Sequence, residues 1–124
     1  MIGGNLSILY SITGTKSGMN TDGKILFLED LDEYLYHVDR MMLNLKRSGK
    51  LHSLAGLVVG GFTDMKDNKV PFGCTAYDII AETVSEFNYP VCFGFPAGHV
   101  ADNRALVMGR KYKLQLASNM CKLY

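Results

Sequence analysis

Residues 24–62, KILFLEDLDEYLYHVDRMMLNLKRSGKLHSLAGLVVGGF, contain the change of hydrophobic period that decides the fold. KILFLE (24–29) is a continuous apolar run closed by a carboxylate, the pattern of a strand covered on both faces. In DEYLYHVDRMMLNLKRSG the period becomes helical. Leu35, Val38, Met42 and Leu45 recur at helical intervals, Lys46 and Arg47 suit the negative end of the helix dipole, and Gly49 ends the helix. LAGLVVGGF (54–62) is a second buried strand, closed by paired glycines. Strand, amphipathic helix, strand in that order describes a parallel βαβ unit.

Working outward, residues 63–73, TDMKDNKVPFG, read as an exposed loop, AYDIIAETVSEF as a further amphipathic helix, and YPVCFGF as a third buried strand opening on a proline. Beyond His99, RALVMG and KYKLQLAS alternate apolar and polar residues, which predicts an antiparallel hairpin with one wet face. Upstream, GGNLSILYSITGT places Leu6, Leu9 and Ile12 at helical spacing, with Asn5 as N-cap and Gly14 as the stop. SGMNTDG is then a turn-rich loop. The expected class is α/β, with a parallel core sheet and an antiparallel ribbon at its edge; the pattern does not set the strand order.

A chain of 124 residues is one domain, 1–124, with 48% apolar residues, 20% charged residues and a net charge of +1. No basic block points to nucleic acid or an anionic membrane, and no apolar run approaches the ~20 residues that span a bilayer. MIGGNLSILYSITGT lacks the basic start and unbroken apolar stretch of a signal peptide. Cys74, Cys92 and Cys121 are odd in number and widely spaced, so reduced thiols in a cytosolic compartment are expected, without a metal or disulfide framework. Cys92, inside PVCFGF, reads as a buried inert thiol.

Functional groups of a parallel sheet collect at the carboxyl ends of its strands. Three ends qualify: Glu29-Asp30, Gly60-Gly61-Phe62-Thr63-Asp64, and His99 after VCFGFPAG. A glutamate and a histidine meeting there form an orienting pair, in which the carboxylate fixes the tautomer and leaves the other ring nitrogen free as a general base. Other roles compete. A Glu-Asp pair at a strand end also suits the cap of the next helix, and a histidine in a Gly/Pro loop also serves to turn the chain. His37, on a helix, and His52, before a strand, read as structural. No serine stands in a G-x-S-x-G elbow and no cluster has metal-ligand spacing. The chain reads as half of an active site.

GGNLSILYSITGT, GKILFLEDLDEYLYHVDRMMLNLKRSGKLHSLAGLVVGGFTD and YPVCFGFPAGHVADNRALVMG, in that order, resemble the C-terminal domain of the LD-carboxypeptidases, a serine peptidase family that includes the microcin-immunity peptidases. The resemblance implies a layered β/β/α domain of a two-domain enzyme with a Ser–His–Glu triad. The family glutamate falls on Glu29 and the family histidine on His99. The nucleophile belongs to an N-terminal domain absent from this chain, and Met1 before IGGN is expected to be a truncation start. Members commonly carry a proline near the tyrosine that here follows Glu33; EYLYHVDR has none.

The implied activity is hydrolysis of the bond between an L-configured diamino-acid centre and a C-terminal D-alanine in murein tetrapeptides. It serves cytoplasmic recycling of cell-wall peptides and needs no cofactor or metal. Gly3, Gly4 and Asn5 are expected to line the substrate cleft. The fragment alone is expected to be inactive and to bare an apolar interdomain face; the full-length enzyme is expected as a homodimer. Two other readings stand beside this one. One is a microcin-immunity-type hydrolase of peptidyl- or aminoacyl-nucleotides. The other is a non-catalytic binding module of the same fold, which predicts Glu29 and His99 out of hydrogen-bonding reach.

Overall fold

A computed structural model of the chain describes residues 1–117 and 120–124. Its elements run β1 (Ile2–Asn5), α1 (Leu6–Ile12), β2 (Ile25–Leu31), α2 (Leu35–Arg47), β3 (Gly56–Thr63), α3 (Ala76–Val84), β4 (Val91–Cys92), β5 (Leu114–Ala117) and β6 (Met120–Leu123). The first four strands form one parallel sheet in the order β1-β2-β3-β4. Each new strand joins the far side of the last, so right-handed crossovers carry all three helices to one face.

Side-chain alternation shows the layers. Leu26 and Leu28 of β2 and Leu57 and Val59 of β3 pack with residues of the three helices. Ile25, Phe27 and Val58, one position out of step, pack on the other face with Met1 and Ala97, against Leu114 and Leu123 of the C-terminal ribbon. The domain is therefore α/β in three layers: helices, parallel sheet, and a C-terminal layer containing the antiparallel β5–β6 pair. β2 is buried along Ile25–Asp30, as its unbroken apolar run requires.

Local signals explain the helices. Asn5 caps α1, its side chain accepting from the Ile8 amide at 3.2 Å. Thr75 and Asp78 close a capping box on α3. α2 has no side-chain cap at Tyr34 and relies on its apolar stripe, Val38, Met41, Met42 and Leu45. Burying each of these is worth roughly 1.5–3 kcal/mol relative to exposure.

The structure departs from the sequence pattern in three places. Ile2–Asn5 is a strand that the helical reading of this region overlooked. It is short and half glycine, and Gly3 is needed: at φ +134, a Cβ there would stand 2.0 Å from the Phe27 carbonyl oxygen. β4 is only Val91–Cys92, because the chain turns through Gly94 at φ +66 and leaves the ladder. The Phe95 amide still donates to the Val59 carbonyl at 3.0 Å.

The predicted hairpin is also shifted. RALVMG is not a strand; β5, within KYKLQLAS, pairs with MCKL instead, and Ser118, the last residue of KYKLQLAS, lies outside the described residues. The pair is a separate sheet packed on the face of the parallel one, not a ribbon along its edge. The 104–112 segment bonds elsewhere: the Gly109 amide donates to the Met1 carbonyl at 2.8 Å, and the Met1 amino group to the Arg110 carbonyl at 2.6 Å.

Candidate active site

Glu29 and Asp30 end the buried part of β2, where the register with β3 shifts by a bulge between Leu28 and Asp30. Consecutive strand residues point to opposite faces, so the two carboxylates part company. Glu29 shares the face of Phe27, the side covered by the 93–104 segment. Asp30 faces the start of α1. Its Oδ2 accepts from the Ser7 amide at 3.0 Å, and its Oδ1 from Asn5 Nδ2 at 2.8 Å and from the Leu31 amide at 2.9 Å. Asp30 does serve a helix terminus, but that of the preceding helix, not the following one. Burial pushes its carboxyl above the ordinary range, and these hydrogen bonds draw it partly back.

Glu29 is 6% exposed and meets His99 directly. Its Oε2 lies 2.7 Å from His99 Nδ1 and also accepts from the His99 backbone amide at 3.1 Å. One carboxylate oxygen thereby fixes both the ring and the backbone that carries it. The neutral tautomer matching this geometry has its proton on Nδ1, shared with Glu29, and its lone pair on Nε2. The imidazole is about half exposed, with a side-chain accessibility of 52%. The arrangement is a buried carboxylate orienting a reachable base.

The FGFPAGH loop (93–99) is held from both sides. The Gly61 amide donates to the Ala97 carbonyl at 3.0 Å, and Thr63 Oγ1 donates to the His99 carbonyl at 2.9 Å. The Gly98 amide donates to Asn103 Oδ1 at 3.1 Å, and the Arg104 amide to the Pro96 carbonyl at 2.8 Å. Gly98 has φ +104, and a Cβ there would come within 2.8 Å of Glu29 Oε2. No larger residue fits between the carboxylate and the loop.

Thr63 closes the second of the three strand ends expected to matter, so all three converge: Glu29 on β2, Thr63 on β3, His99 after β4. Asn103 escaped the sequence pattern; its only signal was its place four residues beyond the histidine. Glu29 and His99 hydrogen-bond, contrary to the expectation attached to a non-catalytic module.

Gly3, Gly4 and Asn5 reach the same carboxyl edge along β1, with Asn5 level with Glu29. Asn5 Oδ1 is committed to Ser7 Oγ at 2.7 Å and to the Ile8 amide. The missing side chain of Gly3 makes room for β2, whereas the position above Gly4 is open for 4 Å.

A second imidazole–carboxylate pair lies nearby. His37 Nδ1 stands 2.8 Å from Glu33 Oε2, one helical turn apart, with the Tyr10 ring edge-on to the imidazole at 5.9 Å. His52 packs beside Phe87, centroids 5.4 Å apart. An apolar hollow of about 290 Å³, bordered by Leu35, Phe62, Met65, Cys74 and Tyr77, lies on the helix side of the sheet, whereas His99 stands on the other. The Glu29–His99 pair therefore does not open into that hollow.

The family model describing the LD-carboxypeptidase C-terminal domain matches residues 1–114. A probable murein peptide carboxypeptidase of Bacillus subtilis is 35% identical over 117 residues, covering 94% of this chain and 37% of that protein. A muramoyltetrapeptide carboxypeptidase from Oxalobacter formigenes superposes with a TM-score of 0.87 at 34% identity, over 98% of this chain and 42% of the other. The microcin C7 self-immunity protein superposes with a TM-score of 0.64 at 25% identity, over 77% of this chain and 28% of the other. The chain spans little more than a third of the length of curated relatives that it matches along most of its own length.

Proposed function

The chain belongs to the LD-carboxypeptidase C-terminal domain family, and from that premise we propose that Glu29 and His99 are two members of a Ser–His–Glu triad. The serine would be supplied by the further length that the relatives possess and these 124 residues do not span. The reaction is hydrolysis of the L-diamino-acid–D-alanine bond of murein tetrapeptides, in the cytoplasm, by a whole enzyme that acts as a homodimer. The observation that carries the reading is the 2.7 Å contact between a buried carboxylate and a half-exposed imidazole.

The roles follow from that geometry. Nε2 of His99 takes the hydroxyl proton as the serine oxygen attacks the scissile carbonyl, then delivers it to the departing amine of D-alanine. Glu29 keeps the ring in the tautomer that can accept this proton and stabilises the imidazolium formed. The β1 edge, Gly3 to Asn5, borders the substrate cleft, with Gly4 offering the open backbone.

Release of D-alanine from murein tetrapeptide is the test, using the full-length polypeptide, its His99→Ala variant and the 124-residue chain alone. Turnover by the first and a loss on the order of 10³-fold or more in the other two is expected. Release by the chain alone, or an active His99→Ala enzyme, would remove the triad assignment. The likeness to the microcin C7 self-immunity protein favours a second reading, in which the same pair serves hydrolysis of aminoacyl-nucleotide analogues. Assaying an acyl sulfamoyl adenosine beside the tetrapeptide separates the two.

A further inference from the structure

The contact between the parallel sheet and the C-terminal ribbon brings together two thiols that are distant in the chain. Cys92, the last residue of β4, is level with Val58 in the ladder. Val58 points to the ribbon side of the sheet, in the cluster with Phe27 and Ala97, so Cys92 points there too. On β6, Met120 and Lys122 are exposed while Cys121 and Leu123 are half-buried, and Leu123 packs on that same cluster. Cys121, two positions earlier, shares its direction. The Cys121 and Cys92 thiols accordingly face each other across the contact between the layers, and both are free. Cys74 packs on the opposite, helix side of the sheet.

The geometry points to Cys92 and Cys121 as a redox-responsive staple: oxidation would join β4 to β6 and close the segment carrying the His99 loop into a ring. A low-molecular-weight disulfide such as oxidised glutathione suffices as oxidant. Cys121, the more accessible thiol, attacks one glutathione sulfur as the thiolate, forming a mixed disulfide and expelling one glutathione thiolate. Cys92 then attacks the Cys121 sulfur, forming the internal bond and releasing the second glutathione. Two protein thiols lose two electrons and two protons, and one glutathione disulfide becomes two thiols. Burial and the neighbouring Cys121 push the Cys92 thiol up to about 12. The second step is therefore slow at neutral pH, and the staple answers sustained oxidation, not a brief pulse.

Because β5–β6 shares no ladder with the parallel sheet, side-chain packing carries this contact, and a covalent link across it has measurable consequences. The test equilibrates the chain with oxidised glutathione, alkylates the remaining thiols and maps the peptides by mass. A 92–121 link with Cys74 alkylated is expected. It should come with a melting temperature raised by about 5–10 °C and slower amide exchange across residues 93–112. Cys121→Ser, at a half-exposed position, should fold, lose the link and lose the shift, while Cys74→Ser keeps both. Glutathione persisting on Cys121 without the internal bond, or a link formed through Cys74, would overturn the inference. The readouts need no substrate, so they stand or fall apart from the proposed peptidase activity.

Discussion

Two carboxylate–imidazole pairs lie at one end of this domain, with almost the same contact: 2.7 Å for Glu29–His99 and 2.8 Å for Glu33–His37. Their construction differs entirely. Glu33 and His37 are four residues apart at the start of α2, where one helical turn brings any such pair together. Glu29 and His99 are 70 residues apart and meet only because parallel strands bring their carboxyl ends to one side. Glu29 is buried and binds the His99 backbone as well as its ring. Glu33 is more exposed and binds a ring alone. A short distance between the right atoms is cheap; what marks a site is a fold that spends burial and backbone bonds on keeping it.

The strongest way to break that contrast is chemical. In the full-length polypeptide, Glu29→Gln keeps the shape of the side chain but removes the charge that, in the proposed triad, steadies the imidazolium, and kcat is expected to fall roughly 10³–10⁴-fold. Glu33→Gln is expected to stay within a factor of a few. Equal losses from the two variants in a D-alanine release assay would abolish the distinction.

A smaller effect is structural. Gly98→Ala forces a Cβ into Glu29 at a backbone angle disfavoured for alanine, and a loss of about 2–4 kcal/mol is expected in urea unfolding. The local, helical Glu33–His37 pair has no counterpart to this position. Wild-type stability in Gly98→Ala would show that the loop can move off the carboxylate freely.

The smallest effect concerns the carboxylate between the pairs. Asp30 is raised from 3.8 by burial first, with hydrogen bonds from Leu31, Asn5 and Ser7 opposing and the charge of Glu33 adding to the rise. A folded-state pKa above the unfolded one means that the native protein holds this proton more tightly. The contribution of Asp30 to stability therefore declines as pH rises through the window just above 3.8. Asp30→Asn cannot titrate and should flatten that part of the curve in denaturant titrations. An unchanged slope would assign the pH dependence to other carboxylates.

How much of this was legible beforehand depends on the kind of signal. β2, α2 and β3 stand out because an unbroken apolar run and a helical stripe are strong periodic patterns. Glu29 stands out because it terminates such a run, and His99 because glycines and a proline isolate it. Parallel strands bring both to one edge, but their meeting also needs the 93–99 loop to cross β3. β1 is hidden by brevity and by Gly3 and Gly4, which carry no side-chain pattern. The pairing of β5 with β6 is hidden because alternation shows which side of a strand is wet, not which partner it takes. Asn103 and the Cys92–Cys121 contact depend on loop path and layer packing, which no local pattern encodes.

The order β1-β2-β3-β4 also has a consequence in time. During synthesis each strand can dock beside one already made, so the helix-covered sheet can assemble progressively from the N-terminal side. His99 follows the last of these strands, and until it emerges from the ribosome Glu29 has no ring to hold. Completion of the dyad thus reports that the rest of the sheet has already been laid down.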